Sequence, residues 1–197
     1  MTTRQISPPR RSRLGGIDGN ESLTAAAAAV LTVLLAVEGV TILALGQLLR
    51  VHMFVGLLLI GPVALKLAST GYRFVRYYVR TPLYREKGAP VLPLRVLAPV
   101  LVVATVGVFV TGVALLLVGH KSDTLLLLHK VSFIVWGACF AVHFLWHLPR
   151  AWRVLRTGQR IPGSAARGTA VLGALAGGLV LALAALSFIG AWQRFHG

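Results

Sequence analysis

Three histidines lie in a segment of the chain that otherwise consists mainly of apolar side chains. Residues 128–147 read LHKVSFIVWGACFAVHFLWH and contain His129, His143 and His147. An α-helix turns by about 100° per residue, so separations of fourteen and eighteen residues bring these side chains onto one helix face. Imidazole is a common metal ligand, and polar groups inside apolar helices are costly and often functional. The spacing therefore predicts a row of ligating or hydrogen-bonding groups along one face.

The composition places this helix in a membrane protein. Of 197 residues, 56% are hydrophobic and 13% are charged, whereas a soluble domain averages about 25% charged residues. The net charge is +15, and the basic residues that produce it cluster between the apolar blocks and not on a folded polar surface. We therefore expect no nucleic-acid partner. Cys139 is the single cysteine. A single cysteine excludes an intramolecular disulfide, a thiolate-held iron–sulfur cluster and a C-x-x-C-H attachment of c-type haem, because each needs at least two cysteines.

Five apolar blocks are long enough to span a bilayer. About 20 apolar residues cross the hydrocarbon core as a helix, which satisfies its own backbone hydrogen bonds there. We therefore predict an all-α integral membrane domain over residues 23–192. In the fifth block, Gly173 and Gly177 form a small-residue pattern that predicts close helix packing. The predicted spans are residues 23–46, 52–72, 96–118, 125–148 and 168–192.

Lysine and arginine predict the orientation of the spans. Of the twenty in the chain, fifteen lie in the N-terminal arm and the second and fourth loops, and three lie on the other side, at Arg50, Lys121 and Arg194. Basic residues collect on the cytoplasmic side of a membrane. We therefore expect residues 1–22 to be a disordered basic cytoplasmic arm and residues 193–197 to be a short external tail. Spans two and four then both run from outside to inside.

His52 begins span two, and the parallel course of spans two and four brings it to the depth of His129 near the outer surface. Two facing neutral imidazoles suit the axial positions of a b-type haem, and helix-bundle cores are where such sites are built. We therefore predict one haem b with His52 and His129 as iron ligands. The expected architecture is a four-helix haem-binding bundle with one accessory helix.

The inner layer does not repeat this pattern. Fourteen residues after His52 stands Lys66, where a second histidine pair would need a partner for His143. Lys66 can instead neutralise a haem propionate or extend to the inner interface. His143 and His147 are candidates for a second haem with some other partner, or for contact with a quinone. The number of haems beyond one stays open at this point.

Other charged side chains are candidates for supporting roles. Glu38 is a carboxylate inside span one. It is a candidate for proton transfer to a quinone, for an ion pair with Arg50 or Lys66, or for a structural role. Arg73 and Arg76 follow span two in a loop rich in arginine and tyrosine, a composition typical of the cytoplasmic interface. They are also candidate partners of haem propionates.

Part of the chain resembles a known group of membrane proteins. The run HMFVGLLLIGPVALKLASTGYRFVRYY from His52, with LHKVSFIVW and HFLWH further on, resembles actinobacterial integral membrane proteins that are similar to b-type membrane cytochromes. These are the cytochrome b561-like proteins and the cytochrome b subunits of hydrogenases and formate dehydrogenases. The resemblance covers spans two to four. It implies a four-helix haem-binding core in the bacterial cytoplasmic membrane and quinone-linked electron transfer, with His52, His129, His143 and His147 at ligand positions. Lys66 departs from a two-haem pattern.

These expectations describe an electron-transfer subunit of an oxidoreductase, embedded in membrane lipid, that moves electrons between the quinone pool and a redox partner protein. The chain carries no flavin or dinucleotide fingerprint, so a complete NADH-driven enzyme is not expected. The alternative is a cofactor-free membrane scaffold or small transporter subunit. In that case Glu38, Lys66 and His143 line a proton or solute path, or pair with one another.

Overall fold

The computed structural model describes residues 16–79, 92–119, 121–157 and 165–194, and the regular elements in them are all α-helices. Five of the helices, α1 to α5, are long and apolar enough to cross a membrane. The predicted all-α membrane architecture is therefore confirmed for the described residues. The helices are α1 (Gly16–Leu43), α2 (Leu45–Tyr78), α3 (Leu92–Val118), α4 (Asp123–Thr157), α5 (Ala165–Ala184) and α6 (Leu186–Arg194).

The first two helices form a hairpin with almost no loop. α1 ends at Leu43 and α2 begins at Leu45, so the predicted end of span one at residue 46 is three residues too late. We call this end of the helices the outer end and the opposite end the inner end. α1 also begins at Gly16, so residues 16–22 of the predicted disordered arm are helical. Residues 1–15 lie outside the described residues.

The predicted fifth span is two helices. α5 ends at Ala184 and α6 begins at Leu186, so a single residue, Ala185, separates them. The Ala185 amide still donates to the Leu181 carbonyl oxygen at 3.1 Å, and the Ala185 carbonyl oxygen accepts from the Ile189 amide at 3.0 Å. The hydrogen-bond ladder therefore continues across the break. The last residues of the predicted tail, 195–197, lie outside the described residues.

The helices pack as two groups. α1 and α5 both pack extensively on α2, and α4 packs extensively on α3 alone. We call these the α1–α2–α5 group and the α3–α4 pair. The groups meet mainly through a smaller contact between α2 and α3. The structure does not confirm the predicted four-helix bundle, because α5 packs on α2 as closely as α1 does and is not an accessory to a closed bundle.

Glycines bring α2 and α5 into backbone contact. A Cβ atom on Gly61 would overlap the carbonyl oxygen of Ala174, and a Cβ on Gly178 would overlap the carbonyl oxygen of Leu58. Hydrogen is therefore the only side chain that fits at either position. The predicted pair, Gly173 and Gly177, does not make this contact, since an added Cβ there would meet nothing within 4 Å. The α2–α5 interface uses Ala174 and Gly178 instead, each one residue further along α5.

An apolar cluster joins the outer ends of the two groups. It contains buried side chains from α2, α3, α5 and α6, namely Leu57, Leu115, Leu116, Ala182 and Ile189. Between membrane helices such side chains stabilise the contact through van der Waals packing, because lipid tails are as apolar as the side chains themselves. This cluster holds the outer end of α2 against α3, and α3 carries α4. It therefore sets the distance between the outer parts of α2 and α4, where the predicted histidines lie.

Candidate functional site

His52 and His129 face each other across the two helix groups. Their ring centroids are 6.5 Å apart and their planes make an angle of 78°. His52 belongs to α2 and His129 to α4, two helices that make no extensive direct packing. The predicted juxtaposition of these two side chains is thus present in the structure, and their binding of haem stays a prediction.

The His52 ring is held from behind by α1. Its Nδ1 lies 2.9 Å from Glu38 Oε1 and 3.2 Å from Thr41 Oγ1. Thr41 donates to the Glu38 carbonyl oxygen at 2.6 Å, so its hydroxyl oxygen is left as an acceptor. Both α1 side chains are buried. Because the carboxylate accepts, Nδ1 carries the proton of neutral His52 and Nε2 carries the lone pair.

Pairing with Arg50 or Lys66 was one of the alternatives that the sequence left open for Glu38. In the structure the carboxylate lies against the His52 ring instead. Gly56 lies one turn after His52 and adjoins the carboxylate: a Cβ there would stand 3.4 Å from Glu38 Oε1, which is an ordinary van der Waals contact. Glu38 is therefore placed to orient an imidazole and to stabilise positive charge on it.

The His129 ring is held in a parallel way by α3, but by uncharged groups. Its Nδ1 lies 3.1 Å from the Val108 carbonyl oxygen and 3.0 Å from Thr111 Oγ1. Thr111 donates to the Gly107 carbonyl oxygen at 2.6 Å, so both neighbours of Nδ1 act as acceptors. Nδ1 therefore carries the proton here too. The ring lies against Gly112, where an added Cβ would come within 3.2 Å of His129 Cε1.

In both rings Nε2 is therefore the nitrogen that is left to bind a ligand. Within the described part of the chain, the polar contacts of His52 and His129 all use Nδ1. In the neutral rings both Nε2 atoms are acceptors, so neither ring can donate to the other. A Lewis acid between them would satisfy both lone pairs. Hydrogen bonding at Nδ1 that fixes the tautomer is the usual outer shell of a histidine metal ligand.

The separation of the rings suits a metal ion between them. An imidazole nitrogen lies about 1 Å from its ring centre and binds a first-row transition metal at about 2 Å. Two axial imidazoles therefore stand with ring centres about 6 Å apart by this estimate, and the observed separation is 6.5 Å. Among the described residues, no group of three or more His, Cys, Asp or Glu side chains could hold a metal ion. A haem, which brings four nitrogen ligands of its own, needs only two protein ligands.

The predicted inner residues form a separate layer. Lys66 and His143 each lie fourteen residues beyond the outer histidine of their own helix, about 21 Å along the helix axis. Lys66 Nζ donates to the Thr24 carbonyl oxygen at 2.9 Å. His143 and His147 are neighbours on α4 with ring centroids 4.7 Å apart. This spacing is too short for a pair of axial ligands, so the two histidines do not form an axial pair with each other.

Arg73 and Arg76 lie at the inner end of α2. They are 21 and 24 residues beyond His52, which corresponds to more than about 30 Å of helical rise. The Arg76 guanidinium carbon lies 5.9 Å from the centre of the Tyr72 ring. The predicted contact with haem propionates is therefore incompatible with a haem held by His52 and His129.

Sequence reasoning missed the supporting groups of the site. Thr41 lies three residues after Glu38, and this helical spacing was a usable signal for it. Thr111, Gly112 and the Val108 carbonyl oxygen belong to α3, and no pattern in the sequence connects them to His129. An aromatic row on the histidine face of α4 was also missed, although its spacing was readable. Its stacked members are Phe133, Trp136, Phe140 and Phe144.

Comparison of the chain with protein-family models, with curated proteins and with solved structures finds no match. The resemblance to b-type membrane cytochromes therefore stays an expectation. The function has to be inferred from the side chains and their geometry.

Proposed function

We propose that the chain is a b-type cytochrome of the bacterial cytoplasmic membrane that binds one haem b between His52 and His129. In this proposal it is an electron-transfer subunit that moves electrons between the quinone pool and a redox partner protein. The distribution of lysine and arginine supports a cytoplasmic N-terminus and an external C-terminus. The haem then lies in the outer half of the membrane, near the external surface.

The observation that supports this proposal is the matched pair of imidazoles. Each belongs to a different helix group, each has Nδ1 bound to an acceptor, and their centres are 6.5 Å apart. In the neutral rings both protons are directed to acceptors on α1 and α3, which leaves both Nε2 lone pairs for a ligand. The donor set and its spacing fit bis-histidine ligation of a haem iron.

The two sides of the site are unequal in charge. Haem b supplies one-electron redox chemistry when bound. Glu38 places a carboxylate behind His52 and stabilises positive charge on that side. Val108 and Thr111 hold His129 with a carbonyl and a hydroxyl oxygen, which orient the ring without adding charge.

A difference spectrum of the purified full-length protein tests the proposal. After haem-replete expression, the reduced-minus-oxidised spectrum is expected to show a b-type band, with about one haem per chain by pyridine haemochrome assay. His52→Ala and His129→Ala are each expected to remove the band, because six-coordinate b-type ligation needs both axial groups. His143→Ala and His147→Ala are matched controls in the same membrane protein and are expected to keep it.

Two outcomes contradict this assignment. A colourless wild-type protein favours the cofactor-free scaffold or transporter subunit. A haem that survives both His52→Ala and His129→Ala, but is lost in His143→Ala, places the cofactor in the inner layer. Reoxidation of the reduced protein by a water-soluble quinone, followed at the haem band, then tests the electron-transfer role separately.

A further inference from the structure

A cavity opens between the outer part of α2 and the short helix α6, and the proposed haem site does not use it. The cavity has a volume of about 440 Å³, and its lining residues come from both helices, namely Arg50, Val51, Phe54, Leu186 and Ile189. Arg50 and Phe54 are four residues apart and share one face of α2, whereas His52 lies about 160° round the helix from each of them. The cavity is therefore separate from the histidine pair.

The walls of this cavity are apolar, and a cationic side chain stands at its rim. Ile189 is 3% exposed and belongs to the apolar cluster at the outer ends of the helices, and Phe54 packs against that cluster. These two side chains form the inner wall. Val51 and Leu186 are 42% and 50% exposed, and Arg50 is exposed as well. The one charged residue of the five therefore lies where the cavity opens.

The charge and the apolar wall follow each other along the membrane normal. α2 begins at Leu45, so Arg50 lies about 8 Å from the outer end of this helix by the helical rise. Phe54 is one turn further along, about 6 Å closer to the bilayer centre. A long basic side chain near a helix end brings its charge to the headgroup region while its stem stays among apolar groups. The site thus offers a cation at headgroup depth with an apolar space beneath it.

We infer that this cavity binds one anionic phospholipid of the leaflet at the outer end of the helices. Its phosphate pairs with the Arg50 guanidinium, whose forked N–H donors match phosphate oxygens, and one acyl chain fills the space against Phe54 and Ile189. The order of cation and apolar wall is the order of headgroup and acyl chain in such a lipid. The positive charge favours a headgroup with net negative charge, because a zwitterionic headgroup carries a cation that offsets the attraction. This lipid site does not depend on the haem.

Photolabelling of the full-length protein in phosphatidylcholine nanodiscs tests this site. The probes are phosphatidylglycerol and phosphatidylcholine with the same diazirine-bearing acyl chain, and crosslinks are mapped to peptides that contain Phe54 or Ile189. The phosphatidylglycerol probe is expected to label these peptides about fivefold more, which is the effect of one basic residue near an anionic headgroup. Arg50→Gln is expected to abolish this preference, and Arg50→Lys to retain most of it. Lys130→Met removes an exposed cation of α4 at the outer end and is expected to change nothing.

Leu186→Phe adds volume at the exposed rim of the cavity and is expected to lower labelling by both probes while their ratio stays the same. Four results overturn the inference. They are equal labelling of the wild type by the two probes, an unchanged ratio in Arg50→Gln, loss of the ratio in millimolar inorganic phosphate at constant ionic strength, and displacement of both probes by an equimolar uncharged quinone. The third assigns the site to a soluble anion and the fourth to a quinone. The haem band of the same samples separates this test from the proposed function, since Arg50→Gln is expected to leave that band unchanged.

Discussion

The substitution Glu38→Gln removes one negative charge from beside His52 and keeps the length of the side chain. In the wild type, Glu38 Oε1 lies 2.9 Å from His52 Nδ1, and the two side chains are only 12% and 22% exposed. Solvent therefore screens this contact less than a surface pair. The glutamine amide keeps an oxygen acceptor for Nδ1, so the ring orientation is expected to survive and the charge alone to change.

The size of the effect follows from that difference. A hydrogen bond to a charged group contributes about 1.5–3 kcal/mol, roughly twice a neutral one. The substitution then removes on the order of 1 kcal/mol of stabilisation from the oxidised, more positive state of the site. For a one-electron couple, about 1.4 kcal/mol corresponds to about 59 mV. We therefore expect the haem midpoint potential of Glu38→Gln to rise by roughly 40 mV.

Potentiometric titration followed at the haem band measures this shift. Asp123→Asn is the matched control, because it also removes one carboxylate at the outer end, but from an exposed side chain. Its midpoint is expected to stay at the wild-type value. Glu38→Ala removes the acceptor as well, and its haem affinity is expected to fall about 10–100-fold, as for other outer-shell partners of metal ligands. A Glu38→Gln protein with an unchanged or lower midpoint would refute the reasoning.

Two further predictions concern the groups that position the site. Gly61→Ala is expected to destabilise the α2–α5 interface by roughly 1–3 kcal/mol through overpacking, and so to lower the thermal unfolding midpoint in detergent. Gly173→Ala is the control and is expected to keep the wild-type midpoint, because its Cβ meets nothing within 4 Å. Equal unfolding midpoints for the two variants would contradict the observed packing. Thr111→Val removes one of two acceptors of His129 Nδ1 and is expected to cost about 1 kcal/mol while the haem is retained, because the Val108 carbonyl oxygen remains. Complete loss of the haem band in Thr111→Val would show that the carbonyl contact alone cannot hold the ring.

The helices were predictable because hydrophobicity over about 20 residues is a local property. The residues at which the helices begin and end were harder to predict. The turn at Ala44 and the break at Ala185 lie inside apolar runs, where no change of composition marks them. The α2–α5 interface shows the same limit. Glycine spacing predicts that some close approach exists, but Gly173 and Gly178 satisfy such patterns equally, and the rotation of α5 against α2 decides which of them is used.

The partner of Glu38 shows why contacts were harder to predict than elements. A carboxylate in an apolar helix indicates that a partner is needed, and cations are the first candidates from sequence. The tight α1–α2 hairpin instead places Glu38 beside His52, fourteen residues away along the chain. Lys66 lies too far down α2 to reach it. A prediction from residue types alone has no access to this geometry.

The sequence by itself determined that His129, His143 and His147 share one helix face, and that His52 and His129 stand at similar depth. Both results follow from the constant rotation and rise of a helix and from the alternating course of successive spans. The tertiary structure alone decided what those imidazoles meet. It placed α1 behind His52 and α3 behind His129, and it set Lys66 on the Thr24 carbonyl oxygen of α1. Such contacts depend on how whole helices rotate and pack against each other, and that is set by side chains spread over the chain.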